Sequence, residues 1–347
     1  MKRISKLLNA VENNNLIVAT VLISLVAGFV ASNIGELSIP ETFPDYYDNI
    51  KPFLSKCDSS ELPEMRGTLK WWMLCVSYNS FGSERIIPYL FSIALLPTTF
   101  FFVRQLVKSN VAGLVAVGIL LTSGTFTNFD TTATYEQSWV VFLLWSFILL
   151  LRGHTYAPVL IFIIAFFAKP LSLIYLPTFL LANHYSNHKN KSLILGMFVV
   201  LACIIVVKLI INAQPQTESF VNFGGQFEFN QDELIAGLYN WWFYLNASIL
   251  VAISLPLVVF KLAHMIKHNK QKTSALIILC GIVSVIVSVP LIDGFTNQLN
   301  HAYRFTPLVV LSGGAIGLIV KTFFHLGNHA QSISHFFMLN ESKEISD

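Results

Sequence analysis

Charge is what this sequence has least of: among 347 residues, 22 are Lys or Arg and 19 are Asp or Glu, 12% in all. Soluble domains carry about 25% charged residues. With 54% hydrophobic residues and 29 Phe, the chain has too little polar surface to cover a globule in water. That excludes a cytosolic enzyme built on a Rossmann core, a disordered chain, and a nucleic-acid binder working through a basic stripe. Cysteine is scarce as well. The four present form no CxxC pair and no Cys/His cluster with zinc-like spacing, so neither a disulfide framework nor a structural metal is expected. Cys203 and Cys280 fall inside apolar runs and read as small buried hydrophobes. Cys57 and Cys75 share a polar segment, where a disulfide between them and simple core burial of Cys75 both remain open. There is no Gly-rich nucleotide loop, no internal repeat, and no acidic residue in the middle of an apolar run.

Apolar runs themselves are abundant. A membrane span needs roughly 20 apolar residues, and flanking Lys and Arg mark its cytoplasmic end. The run 16–32 follows Lys2, Arg3 and Lys6, which places the N terminus in the cytoplasm. It shares the basic lead of a signal peptide but reads as an uncleaved anchor, because at least eight further runs follow. A polar external loop, 33–85, comes next. The run 86–107 ends at Arg104 and Lys108 and points inward; 111–123 leads out again; 139–151 comes in to Arg152 and His154. The stretch 157–183 is interrupted by Lys169 and Pro170, and proline in a helix interior removes a hydrogen bond and clashes with the preceding turn. Both of its flanks are basic, so it reads as two short spans meeting at an external hinge. An outward run at 192–211, a second external loop at 213–245, and runs at 249–262, 274–292 and 305–321 complete the path. The expected fold is therefore all-α: a polytopic transmembrane helix bundle of about ten spans with both termini cytoplasmic. Residues 1–325 form a single transmembrane domain, with interfacial helices in loop 33–85, and 326–347 form a cytoplasmic tail.

Ionisable groups near hydrocarbon are costly and so mark candidate sites. Asp45 and Asp48, three residues apart around Tyr46 and Tyr47, would share a helical face at the membrane interface. A partly desolvated carboxylate there could act as a general base or hold a divalent metal; the ordinary reading is an N-cap and a solvated loop acid. Lys169, Lys208 and Arg304 fall near the external face, against the positive-inside trend, where an anionic lipid phosphate would give them a common partner. Snorkelling to head groups is the alternative, above all for Lys208. Beside Arg304 stand His301 and Tyr303. The external turn 128–136, with Asp130 and Glu136, reads as an ordinary polar turn or as lining the same cavity.

The order of these features, with SERIIPYLFSIALLPTTFFFVRQLVKSNVAGLVAVGILLTSG, IIAFFAKPLSLIYLPTFLL and HAYRFTPLVVLSGGAIGLI, resembles the GT-C superfamily of integral membrane glycosyltransferases. The likeness to its polyprenyl-phosphate-mannose and aminoarabinose transferase types covers 15–183 and, more weakly, 300–322. The resemblance implies an inverting glycosyltransferase of glycan biosynthesis at the cell envelope, in the plasma membrane with its active loop extracytoplasmic. A polyprenyl-phosphate-linked sugar would be the donor, and a lipid, glycan or protein the acceptor. Asp48 or Asp45 would deprotonate the acceptor, while Lys169 and Arg304, with Lys208, would hold the lipid phosphate. Tyr47, Asp130, Glu136, His301 and Tyr303 would line the cavity. No nucleotide or other cofactor is implied beyond an optional divalent metal, and no nucleic-acid partner. Two other classes fit the same topology: a transporter or flippase using the Lys-Pro break as a discontinuous helix, and a non-catalytic membrane subunit.

Overall fold

A computed structural model describes residues 2–41, 47, 50–54, 57, 68–133, 136–185, 195–196, 199, 232, 235, 249–267, 272–296 and 305–322. Every regular element among them is helical, so the fold is all-α.

A short helix α1, Lys2–Asn13, leads into α2, Asn15–Asn33. Asn14 separates them: its extended backbone stops one helix, and its side chain accepts hydrogen bonds from the N–H groups of Leu16 and Ile17 to start the next. A single 3-10 turn, Ile34–Ser38, continues α2. The short α3, Lys51–Leu54, and the longer α4, Thr68–Phe81, come from the loop that follows, and a disulfide joins Cys57 to Cys75. Of the two readings open for Cys75, the bonded one holds. Cys57 packs on a small separate cluster of Ile50, Leu54, Leu74 and Ala133.

The centre of the molecule is α5, Ile86–Val107, which packs on α4, on α6 (Asn110–Leu121) and on α8 (Glu136–Leu151). At 22 residues it is about 33 Å long. Between α6 and α8 lie a one-turn α7, Gly124–Thr127, and the loop that carries Asp130. Close approach of α5 and α6 depends on Gly113, where a Cβ would lie 2.7 Å from the Phe100 ring. On its other side α6 meets α13, Thr306–Thr322. Here Gly313 and Gly317 lie on Ala116 and Ala112, a pair of small residues four apart on each helix, which lets backbones approach as they do in membrane helix pairs.

Helix α9, Ala157–Ala168, packs against α8 and ends at Lys169, whose backbone is extended (φ −155°, ψ 120°). A 3-10 segment, Pro170–Tyr175, then leads into α10, Leu176–Tyr185. Phe162 and Phe147 close on Phe179 edge to face, tying α8, α9 and α10 together. The remaining described helices are α11, Ile249–Lys267, and α12, Lys272–Thr296, which pack on each other, with α12 also on α10.

Hydrogen bonds between distant residues define the two ends of the bundle. At one end, Ser109 and Asn110 bond Glu12, Gln105 bonds the carbonyl of Leu151, Ser274 bonds that of Leu106, and Lys321 bonds those of Val107 and Lys108. Arg104, Lys108, Arg152 and Lys321 gather there. At the other end Arg85 reaches Ile39 and Thr131, and the acids Glu36, Glu41, Glu84 and Asp130 gather. Two described stretches, Asn15–Ser38 and Ile86–Val107, are long and apolar enough to cross a membrane, and five shorter apolar helices accompany them. The first is barely covered by the protein: Leu16 and Ile23 are 76% and 67% exposed.

Candidate functional site

The acidic end of the bundle is built where α2 runs out, α5 begins and the loop between α7 and α8 crosses between them. Phe29 of α2 stacks on Tyr89 of α5 and on Phe126 of α7, which brings the three segments together below the polar groups. Directly above this aromatic layer lies Asp130, only 1% exposed. Asn33, at the end of α2, donates to its Oδ2 at 3.0 Å, and Ser92 of α5 donates to its backbone carbonyl at 2.7 Å. Its Oδ1 is buried with no hydrogen-bond partner, an arrangement that penalises the ionised form.

Glu36, exposed at the mouth, accepts a hydrogen bond from the hydroxyl of Thr131, the residue next to Asp130. A second carboxylate near a desolvated one raises the cost of ionising the desolvated group. Burial first, and Glu36 second, push the Asp130 carboxyl up to about 7, while backbone N–H groups of Thr131 and of Asp130 itself pull it down. The site thus holds one solvated acid and one buried acid whose proton is exchanged near neutral pH, the pairing general acid-base chemistry uses.

The loop is held by Arg85, 7% exposed at the start of α5. Its Nε donates to the Thr131 carbonyl at 2.6 Å, and one terminal nitrogen donates to the Ile39 carbonyl at 2.6 Å. Glu41 stands 3.7 Å from the same Nε and accepts the Ala133 N–H at 2.9 Å. Arg85 therefore clamps the exit of α2 to the Asp130 loop, and Glu41 neutralises it. Tyr47 donates to the Glu41 carbonyl at 2.7 Å, and the Lys51 ammonium lies 5.4 Å from its ring centre.

The hinge lies at this same end. Tyr175 packs its ring against Trp139 in the first turn of α8, and the 3-10 segment touches α8, α9, α10 and α12. In a 3-10 helix residues three apart eclipse, so Ser172 and Tyr175 share one face of it. Both hydroxyls are buried without a hydrogen-bond partner. Lys169, half-buried, directly precedes them.

Of the residues singled out from sequence, the structure thus gathers Asp130, Tyr47 and Lys169 at one end of the bundle, and Glu136 opens α8 just beyond the Asp130 loop. Asp45, Asp48, Lys208, His301, Tyr303 and Arg304 lie outside the described residues. No motif in the sequence singles out Glu36, Glu41 or Asn33, and Arg85 enters there only as the end of the first external loop. A signal for Glu36 was present, since it is the first acid after the first apolar run, four residues past its end. Among the described residues, no group of three or more His, Cys, Asp or Glu side chains could hold a metal ion. No family model, curated protein or solved structure matches the chain.

Proposed function

We propose that the chain is a GT-C-like integral membrane glycosyltransferase that moves a sugar from a polyprenyl-phosphate carrier to a lipid, glycan or protein acceptor on the extracytoplasmic face. The observation that carries this reading is Asp130, buried with one carboxylate oxygen unpartnered beside the second carboxylate of Glu36. A membrane setting is supported by α2, which is apolar yet exposed on most of its surface and so requires a non-aqueous neighbour. Orientation is supported by charge. The end bearing Arg104, Lys108, Arg152 and Lys321 is cytoplasmic by the positive-inside rule, and the acidic end is outside. The Cys57–Cys75 disulfide belongs to the loop at the acidic end and agrees with an oxidising compartment. About ten spans, both termini cytoplasmic, complete the proposed topology.

In this mechanism the acceptor hydroxyl gives its proton to a carboxylate of the cluster, and its oxygen attacks the anomeric carbon. The bond from that carbon to the phosphate oxygen breaks, configuration inverts, and polyprenyl phosphate leaves with the electron pair. Asp130 and Glu36 join Asp45 and Asp48 as candidates for the base, since the latter two follow Glu41 by only a few residues. Lys169, with Arg304 and Lys208, neutralises the phosphate, and the unpartnered Ser172 and Tyr175 hydroxyls of the 3-10 segment that follows Lys169 would gain a partner in a bound ligand.

The test is release of polyprenyl phosphate from a polyprenyl-phosphate hexose by purified protein in lipid. Asp130→Asn and Glu36→Gln should retain expression and melting behaviour, and at least one should lower the rate about 10²- to 10⁴-fold. Full activity in both variants would remove the cluster from the chemistry.

A further inference from the structure

At the opposite, basic end of the bundle a groove of about 430 Å³ opens between the last turn of α5, the start of α6 and the end of α8. Arg104, Lys108 and Arg152 line it, with Phe101 and Gln105. A second cavity of about 410 Å³ shares Gln105, Lys108 and Arg152 and continues past them towards Ser274. Volumes of this size suit a small-molecule or head-group ligand.

Among the described residues the only acid lining the groove is Glu12, and it is already engaged. Its carboxylate accepts from the Ser109 hydroxyl at 2.9 Å and from the N–H groups of Asn110 and Val111 at 3.2 and 3.0 Å, which caps the start of α6. The cations have no comparable employment. Arg104 has its guanidinium 6.0 Å from the centre of the Phe100 ring, and among the described residues no carboxylate pairs with Arg104, Lys108 or Arg152. Gln105 bonds the Leu151 carbonyl and so fixes the strand of chain bearing Arg152 against α5.

Lys108 adds a second, independent sign. It caps α5 in the left-handed region, at φ +56°, where glycine or asparagine is the ordinary choice. Capping does not account for a lysine here. The carbonyls of Val107 and Lys108 are taken by the Lys321 ammonium, at 2.7 and 3.0 Å. The left-handed backbone is thus occupied by a side chain that costs more than glycine and contributes a positive charge to the groove.

We propose that this groove is a phosphate-binding site that takes the head group of an anionic phospholipid from the cytoplasmic leaflet. Two guanidinium forks and an ammonium match a phosphate, and Phe101 gives the glycerol and upper chain an apolar wall. The lipid source rests on the membrane orientation proposed above, whereas the phosphate chemistry rests only on the groove, and neither depends on sugar transfer.

The experiment uses full-length protein, delipidated in neutral detergent, and follows its melting temperature with phosphatidylglycerol, phosphatidylcholine or inorganic phosphate. Phosphatidylglycerol should raise the melting temperature and phosphatidylcholine should not. Arg104→Gln and Arg152→Gln should each weaken the apparent affinity about five-fold, as expected for one cation near a charged lipid surface. Lys108→Gly should weaken it equally while folding at least as well as the parent, because glycine suits φ +56°; a lost response in that variant cannot be ascribed to misfolding. A variant-sensitive response to inorganic phosphate equal to that of phosphatidylglycerol would uphold the site and move its ligand to the cytosol. No response to either phosphate source, or one that all three variants retain, would overturn the proposal.

Discussion

At the scale of single residues, the acidic end of the bundle turns on the difference between Asp130 and Glu36. Asp130 is enclosed by Asn33, Ser92 and the aromatic layer, and its carboxyl titrates near 7; Glu36, one hydroxyl away through Thr131, is solvated. The groups facing Asp130 are Glu36 from the 3-10 turn after α2 and Tyr89 from α5, with Glu41 and Arg85 forming the clamp beyond Thr131. The sign of the resulting pH dependence follows. A carboxyl raised in the folded state holds a proton that the unfolded chain has already released above its ordinary value of 3.8. Its stabilising contribution is complete below that value and fades as pH rises through about 7. Melting temperature measured from pH 5.5 to 8.5 should therefore fall across about 7 in the parent protein, and Asp130→Asn should flatten that part of the curve. A base in the same group works in the opposite sense, so transfer should rise over the same interval. Parallel melting curves for the two proteins would show that Asp130 is not the group titrating. Sequence alone displayed Asp130 as an acid in a polar turn. Its burial could not be read there, because the groups enclosing it come from 97 and 38 residues away.

At the scale of elements, breaks and close contacts differ in how openly they are written. The end of α9 at Lys169 was legible, since Pro170 cannot continue a helix and the flanking charges demanded a return. The 3-10 form of the segment that follows, and its two unpartnered hydroxyls, were not legible, because local spacing does not distinguish i+3 from i+4 bonding over six residues. Helix pairing was likewise hidden. Gly313 and Gly317 look like any glycines in an apolar run until α6 is laid against them, 197 and 205 residues back at Ala116 and Ala112. A Cβ on Gly317 would fall 2.8 Å from the Ala112 Cα and carbonyl oxygen, backbone atoms that cannot rotate away. Gly317→Val should then destabilise the protein by about 3 kcal/mol, the upper range for overpacking. Gly118, on α6 itself, has nothing within 4 Å of where its Cβ would be. Gly118→Ala should leave stability unchanged or raise it by up to about 1 kcal/mol through helix propensity. Melting the two variants side by side separates contact from propensity: equal losses would mean that α6 and α13 do not meet as described.

At the scale of the whole molecule, charge is distributed along the axis of the bundle. Arg104, Lys108, Arg152 and Lys321 come from α5, from the ends of α5 and α8, and from α13, yet converge at one end, while Glu36, Glu41, Glu84 and Asp130 converge at the other. Composition predicted a helical chain with this polarity because each apolar run could be read by its own flanks, independent of how runs pack. The count of about ten spans rests on runs such as 192–211 that lie mostly outside the described residues, and it is the polarity that an experiment can reach first. In a Cys203→Ser, Cys280→Ser background, single cysteines at Ser38→Cys and His154→Cys mark the two ends, since both positions are exposed and neither belongs to the acidic cluster or lines the basic groove. A membrane-impermeant maleimide added to intact cells should label the first and spare the second until the membrane is permeabilised. The acidic cluster proposed as the transferase site would then face outward, and the phosphate groove the cytoplasmic leaflet. Labelling of both in intact cells, or of His154→Cys alone, would reverse or abolish the polarity, and with it the placement of either ligand.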